Sequence, residues 1–216
     1  MIIAIDGPSG AGKGTVARAV ARALGYRHVD SGAMYRAVGW KALRDGVSLD
    51  DEAAVADLAE RSVVEVSPAR VAIDNVDVTR AIRTPEVDYA AASVARLPLV
   101  RDVLVARQRT LGQGGRLVME GRDIGTVVFP GADVKFYLDA SANERARRRA
   151  SDPAHSGGPS AVSEVETLLS ERDRLDSTRA ASPLHMAPDA VFIDTTERSI
   201  DEVVEAVLGT IRRRSV

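Results

Sequence analysis

Ile2-Ile3-Ala4-Ile5-Asp6-Gly7-Pro8-Ser9-Gly10-Ala11-Gly12-Lys13-Gly14-Thr15 is the stretch that decides the fold. An apolar run too short for a helix meets a glycine-rich turn, and an alanine-rich helical pattern follows over 16–24. The order predicted is strand, loop, helix. Gly7, Gly12 and Lys13 have the spacing of a phosphate-binding loop, in which successive backbone N–H groups and a helix N-terminus surround a polyphosphate while the lysine bridges its outer oxygens. Glycine is needed there because a Cβ blocks so close an approach. The strict pattern has Ser or Thr directly after the lysine, whereas here Gly14 takes that place and Thr15 comes next. An ordinary glycine-rich turn is the competing reading. A lysine at the required offset, between a strand and a helix, favours binding of a nucleoside triphosphate.

Working outward, 216 residues suit one α/β domain with insertions, long enough to bury a sizeable core. A net charge of −2 gives no global basic field, which argues against bulk attraction to nucleic acid or to anionic membranes. Cysteine is absent, so disulfides and thiolate metal sites are excluded and a reducing compartment fits. Asp6 interrupts the first apolar run too early for a signal peptide, and no apolar stretch reaches membrane-spanning length. The expectation is a cytoplasmic protein. Only Lys13, Lys41 and Lys135 are lysines among 29 basic residues, a bias that compositional drift also produces, so each arginine is argued by position.

Residues 26–29 read as a second strand, and Asp30 or Ser31 caps a helix over about 33–43 whose apolar face is Met34, Tyr35, Val38 and Ala42. Arg36 falls near the start of that helix, just beyond a strand's carboxyl end, where open α/β sheets bind ligands. A helix over 50–61 is followed by short alternating runs over 63–80, which predict a small β insertion with a turn at Asp74-Asn75. Thr84-Pro85 and Pro98 open two further helices, and 117–119 is a core strand leading into the polar cluster Glu120-Gly121-Arg122-Asp123-Ile124-Gly125. After a strand over 134–138, Asp139-Ala140-Ser141 caps a helix bearing Glu144, Arg145, Arg147, Arg148 and Arg149, either a solvated face or an anion site. Residues 151–162 have the composition of a mobile covering loop. On the next helix Arg172 and Asp176 share a face, which allows a plain surface ion pair, and Arg179 lies just beyond. A strand over 191–193 and a helix over 199–213 close the chain. The alternation implies an α/β fold with a parallel sheet flanked by helices on both faces.

With the loop variant, Asp30-Ser31-Gly32-Ala33-Met34-Tyr35-Arg36, Glu120-Gly121-Arg122-Asp123-Ile124-Gly125-Thr126 and Glu171-Arg172-Asp173 through Asp176 to Arg179 in this order, the chain resembles the bacterial cytidylate kinase family almost end to end. Gly-Lys-Gly-Thr is shared by many nucleoside monophosphate kinases; the Ser-Gly-x-x-Tyr-Arg and Gly-Arg-Asp-x-Gly-Thr segments are narrower. The resemblance implies a single P-loop kinase domain over 1–216, with a monophosphate-binding region at 31–111 that includes the β insertion and a mobile lid at about 145–179. It implies transfer of the γ-phosphoryl of ATP to CMP or dCMP by a monomer, with Mg2+ accompanying ATP and no direct protein metal site. Residue by residue, Gly7, Pro8, Ser9, Gly10, Ala11, Gly12, Lys13, Gly14 and Thr15 would hold the ATP phosphates, and Arg36 and Arg122 would grip the phosphate of CMP with Ser31 beside it. Arg101 and Asp123 would read the cytosine, and Arg172 with Asp176 the ribose hydroxyls. Arg179, Arg145 and Arg149 would face the transferring phosphoryl or the adenine side, with Lys13, Arg122 and Arg179 as the catalytic set. One departure stands out: the family's usual serine is Ala92 here, with Ser93 shifted by one, which leaves one base contact without its usual donor.

Two other readings remain at this point. A P-loop kinase could serve another small acceptor, and a nucleotide switch could bind without turnover. The Asn-Lys-x-Asp signature of guanine-reading switches is absent, since neither Asn75 nor Asn143 is followed by lysine.

Overall fold

The first apolar run is a strand, Ile2–Asp6 (β1), buried from Ile3 onward on both faces, as expected of a central parallel strand. The computed structural model describes residues 1–152 and 161–214. β1 lies between Leu117–Gly121 (β6) and Val134–Asp139 (β7), with Arg27–Asp30 (β2) outside β6 and Val191–Asp194 (β8) outside β7. Every pairing in this five-stranded sheet, β2-β6-β1-β7-β8, is parallel. The register sets Asp6 opposite Gly121 and Asp30 opposite Glu120. The carboxyl ends of β1, β2 and β6 thus deliver three acidic side chains to one edge of the sheet, where ligands of open α/β folds gather.

Helices cover both faces. Ile3, Ile5, Val118, Phe136 and Leu138 pack against Val16, Val20, Val207 and Ile211 from Lys13–Leu24 (α1) and Ile200–Arg214 (α8). Ala4, Val29 and Met119 point the other way, onto Val105 of Pro98–Gly112 (α5) and Ile124. This alternation along buried strands is what makes the architecture three-layered.

Beside the sheet, Ser31–Arg44 (α2), Glu52–Arg61 (α3), Pro85–Val94 (α4) and α5 share a second core that contains Met34, Tyr35, Val38 and Ala42, the face read from the sequence. Val64–Val66 (β3), Val71–Ile73 (β4) and Val76–Asp77 (β5) form the antiparallel insertion, which packs Val71 and Ile73 on Ala33 and Ala37 of α2. Its hairpin turns at Asp74 (φ 51°) and Asn75 (φ 65°), the paired left-handed residues of a type I′ turn. Ala142–Ala150 (α6) and Val162–Thr178 (α7) pack on each other through Ala146, Val165 and Leu169. Most of the covering-loop reading, residues 153–160, lies outside the described residues. Among the described residues no helix is long and apolar enough to cross a membrane.

Candidate active site

The loop between β1 and α1 is held open by its glycines. Gly7 has φ 144°, and a Cβ on it would stand 1.9 Å from the Leu138 carbonyl oxygen of the neighbouring strand. No side chain fits there. α1 begins at Lys13, three residues before the apolar pattern announced it, because Gly12 caps it in a left-handed conformation (φ 85°) that an apolar period cannot reveal. At Gly14, in the place of the expected Ser or Thr, a Cβ would lie 3.1 Å from Glu120 Oε1, a tight contact that the carboxylate would have to ease. His28 Nε2 lies 3.0 Å from that same oxygen, so a buried His–Glu pair backs the loop.

Lys13 is buried, and its Nζ donates to the Pro8 carbonyl at 2.6 Å. Burial pushes the ammonium down to about 7, and Arg122 pushes the same way, against Glu120, Asp6 and Asp30. A polyphosphate in the loop restores the charge. Binding of MgATP at pH 8 is therefore expected to take up most of one proton, and the affinity for ATP is expected to fall by up to about tenfold per pH unit above 7. Calorimetry in buffers of different ionisation enthalpy measures the uptake; zero uptake refutes the expectation.

Asp6 does not face the cavity. Its carboxylate accepts from Ile124 N (2.8 Å) and Gly125 N (2.7 Å), and burial pushes it up to about 6 against those two bonds. It pins the single π turn Ile124–Val128 and so fixes the direction in which Arg122 and Asp123 leave β6. Ser31 Oγ donates to the Glu120 carbonyl at 2.7 Å and touches the place a Gly121 Cβ would occupy, so the strand end and the start of α2 are tightly joined.

The cavity in front of the loop has a volume of about 750 Å3. Its loop wall runs from Ser9 to Thr15; Gly7 and Pro8 stand behind it and serve by shape and by the Pro8 carbonyl. Facing that wall are Arg36, Arg122, Arg172 and Arg179. Arg36 Nη2 donates to Asp30 Oδ2 at 2.8 Å, and Arg83, which sequence reasoning missed, lies 3.9 Å from the same oxygen. Arg83's only sequence signal is its position just ahead of the Thr84-Pro85 helix start.

Arg101 and Asp123 pair directly, and Arg101 also lies over the Tyr35 ring at 5.6 Å. Arg179 Nη2 lies 3.7 Å from Asp123 Oδ1 and its Nη1 3.8 Å from Asp176 Oδ1, while Arg122 Nε donates to Asp176 Oδ2 at 2.8 Å. The five residues form a buried row of alternating charge. Burial raises the Asp176 carboxyl, but Arg122 and Arg172 outweigh it and hold it below the usual carboxylate range. A plain surface pair between Arg172 and Asp176 is thereby corrected: Asp176 is 5% exposed, its hydrogen-bonded partner is Arg122, and Arg172 instead lies 3.0 Å from Asp88. Arg36 Nε, Arg101 Nε, Arg172 Nε and Arg179 Nη2 are buried without a hydrogen-bond partner. Unspent donors around one cavity fit an anionic, polar ligand.

The arginines of α6 divide by face. Arg147 pairs with Glu144 in solvent, the solvated reading. Arg148 donates to Thr195 Oγ1 and its carbonyl at 3.0 and 2.6 Å. Arg145, expected to face ATP, lies under the loop instead: it donates to Ala140 O (3.1 Å) and Ser9 O (3.2 Å), pairs with Asp173, and does not line the cavity. A Cβ on Gly10 would stand 2.9 Å from the Arg145 carbonyl oxygen, so loop and helix cross closely there, and the bonds to Ala140 O and Ser9 O hold the guanidinium beneath the loop. Arg149 does line the cavity and reaches Asp88 of α4, on the acceptor side. Ala92 also lines the cavity, whereas Ser93 points away into the core. The shifted serine does not take the usual one's place.

Known proteins resemble this chain along nearly its whole length. The cytidylate kinase profile matches residues 3–213. A cytidylate kinase of Solibacter usitatus (strain Ellin6076) is 48% identical over 216 residues, covering 99% of this chain and 93% of that protein. A cytidylate kinase of Geobacillus kaustophilus (strain HTA426) is also 48% identical, over 98% of this chain and 96% of that protein. In fold, a gluconokinase from Sinorhizobium meliloti 1021 superposes with a TM-score of 0.53 over 98% of this chain and 91% of that one; at 17% identity this shows the P-loop kinase fold alone. Since the matching region spans the loop, the acceptor wall and both helices α6 and α7, the chain belongs to the cytidylate kinase family.

Proposed function

We propose that the protein transfers the γ-phosphoryl group of ATP to CMP or dCMP, giving ADP and CDP or dCDP. One observation supports this above others: the Lys13 loop and a second cation set, Arg36 and Arg122, face each other across a single cavity. Such a chamber accepts two phosphate-bearing ligands end to end. An oxygen of the acceptor phosphate attacks the γ-phosphorus as the bond to the β-bridging oxygen breaks, and ADP leaves with that electron pair. The acceptor is already an anion, so no strong base is required; alignment and charge neutralisation supply the catalysis. Lys13 neutralises charge on the β- and γ-oxygens, Arg122 with Arg36 steadies the acceptor phosphate, and Arg179 lies behind both, tied to Asp123 and Asp176.

The donors beside Lys13 are oxygens, the Thr15 hydroxyl and the Glu120 carboxylate, which suit a hard cation keeping several waters. Mg2+ carried with ATP would be held by the phosphates and water, with the Thr15 and Glu120 oxygens near it and not as a direct protein site, and it would supply further neutralisation of charge there. Helices α6 and α7 are read as the lid and the region from α2 to α5 as the monophosphate-binding part. Both contribute to the cavity from one chain, which supports a monomer.

ADP release followed with and without CMP tests the reading. CMP-dependent release at least about tenfold above the background hydrolysis is expected, because exclusion of water is what separates transfer from hydrolysis. CMP-independent release refutes it. For the sugar, Asp176→Ala is expected to raise KM for CMP about tenfold, through loss of a carboxylate acceptor for ribose hydroxyls and of the partner that holds Arg122. Unchanged CMP kinetics would show that Asp176 serves only the ion-pair row.

A further inference from the structure

Asp88 is a buried carboxylate that the reaction above leaves without a task. It lies in the first turn of α4, a helix begun by Pro85 and capped by Thr84, with its side chain 14% exposed. Its Oδ2 accepts from Arg149 Nη2 of α6 at 2.5 Å, and its Oδ1 lies 3.0 Å from Arg172 Nη1 of α7. One carboxylate therefore joins two guanidiniums from two helices. α6 and α7 pack on each other, while α4 packs on α2, the helix that carries Arg36. Among the described residues, Asp88 ties these two halves of the cavity together by charge.

The placement is directional. Arg36, Arg149 and Arg172 line the cavity and Asp88 does not. Asp88 holds one edge of each guanidinium from behind, and Arg172 Nε, on another edge, is buried without a hydrogen-bond partner. Burial lowers the Arg149 guanidinium, Arg172 and Arg36 lower it further, and Asp88 opposes all three. Three clustered cations that must all point the same way need a counter-charge behind them, and a carboxylate with two oxygens can fix two planar guanidiniums at once. A neutral side chain of the same shape cannot.

We infer that Asp88 is a positioning residue for phosphoryl transfer, holding Arg149 and Arg172 as a pair so that both guanidiniums face the acceptor phosphate. In this role it touches no substrate and acts through the two arginines. The inference rests on the kinase reading above.

The test is a set of steady-state measurements with ATP and CMP on Asp88→Asn and Asp88→Glu, each made in the parent and in an Arg149→Ala, Arg172→Ala background, with Tm recorded for all. In the parent, Asp88→Asn is expected to lower kcat about tenfold and Asp88→Glu about threefold, since ångström-scale misplacement of positioning groups costs rate at this scale or more. In the background lacking both arginines, neither substitution is expected to change kcat by more than about twofold, because the group it acts through is gone. A parental kcat in Asp88→Asn overturns the inference, as does an equal loss in both backgrounds, the mark of a merely structural role. If Asp88→Asn fails to fold, Asp88→Glu, which keeps the charge, decides by the same comparison. A parent without CMP-dependent ADP release refutes the kinase reading itself; a parent with normal turnover confines any failure to Asp88.

Discussion

Lys13→Met is expected to lower kcat with ATP and CMP by about 10²- to 10³-fold, the scale at which one preorganised donor to a developing anion is lost. The methionine keeps the length of the side chain and removes the charge. The ammonium donates to the loop carbonyl Pro8 O, so its removal deprives that acceptor of one donor. Its burial at 7% exposure, with a depressed affinity for its proton, means that the fold carries a cost for the charge rather than depending on it. Tm is therefore expected to stay within about 4 °C of the parent, the shift that about 1 kcal/mol produces in a domain of this size. Stopped-flow or coupled ADP release gives kcat, and a thermal melt gives the fold. Near-parental turnover in a folded variant would remove the loop from the reaction.

The second large effect concerns the base. The parent is expected to prefer CMP to UMP by kcat/KM, within the range of about tenfold to a thousandfold that unpaired polar groups impose on a wrong ligand. Cytosine presents an N4 amino donor where uracil has an O4 acceptor. In the proposed assignment Asp123, paired with Arg101 and 3.7 Å from Arg179, would accept from that donor, so uracil's oxygen would meet a carboxylate instead of a donor. Asp123→Asn, which can turn an amide N–H toward O4, is expected to narrow the CMP/UMP ratio at least tenfold. The structure also lowers the ceiling. Ala92 lines the cavity and Ser93 is turned into the core, so the hydroxyl that the family's usual serine would offer has no local substitute. Discrimination is expected toward the tenfold end. The measurement compares CMP, dCMP, UMP and AMP at fixed ATP; equal or better use of UMP or AMP by the parent would sink the base assignment while leaving the kinase untouched.

Much of the molecule follows from local sequence. Ile2–Asp6 could only be a short strand, Gly7 and Gly12 bound a loop whose close approach at Gly7 leaves no room for a Cβ, and the Thr84-Pro85 cap begins its helix where local hydrogen-bonding chemistry demands. These are properties of neighbours in the chain, so they can be read from the chain. The type I′ turn at Asp74-Asn75 and the apolar face of α2 were legible for the same reason.

What only the tertiary structure decided are the partners of the charges. Arg172 and Asp176 sit one helical turn apart, yet each pairs elsewhere, with Asp88 and Arg122. Arg145 and Arg149 sit one turn apart on α6, yet Arg145 is held beneath the loop by Ser9 O and Asp173 while Arg149 reaches Asp88 of α4. Helical spacing determines which side chains share a face; it does not determine what that face meets. In a burial-limited cavity the choice of ion partner is set by which opposite charge another element brings within reach, because an unpaired buried charge costs far more than any local preference. That is why Gly14, His28, Glu120, Arg83 and Asp88 carried little signal by themselves, and why the sequence named the loop and its chemistry while the packing of α4, α6 and α7 assigned the arginines.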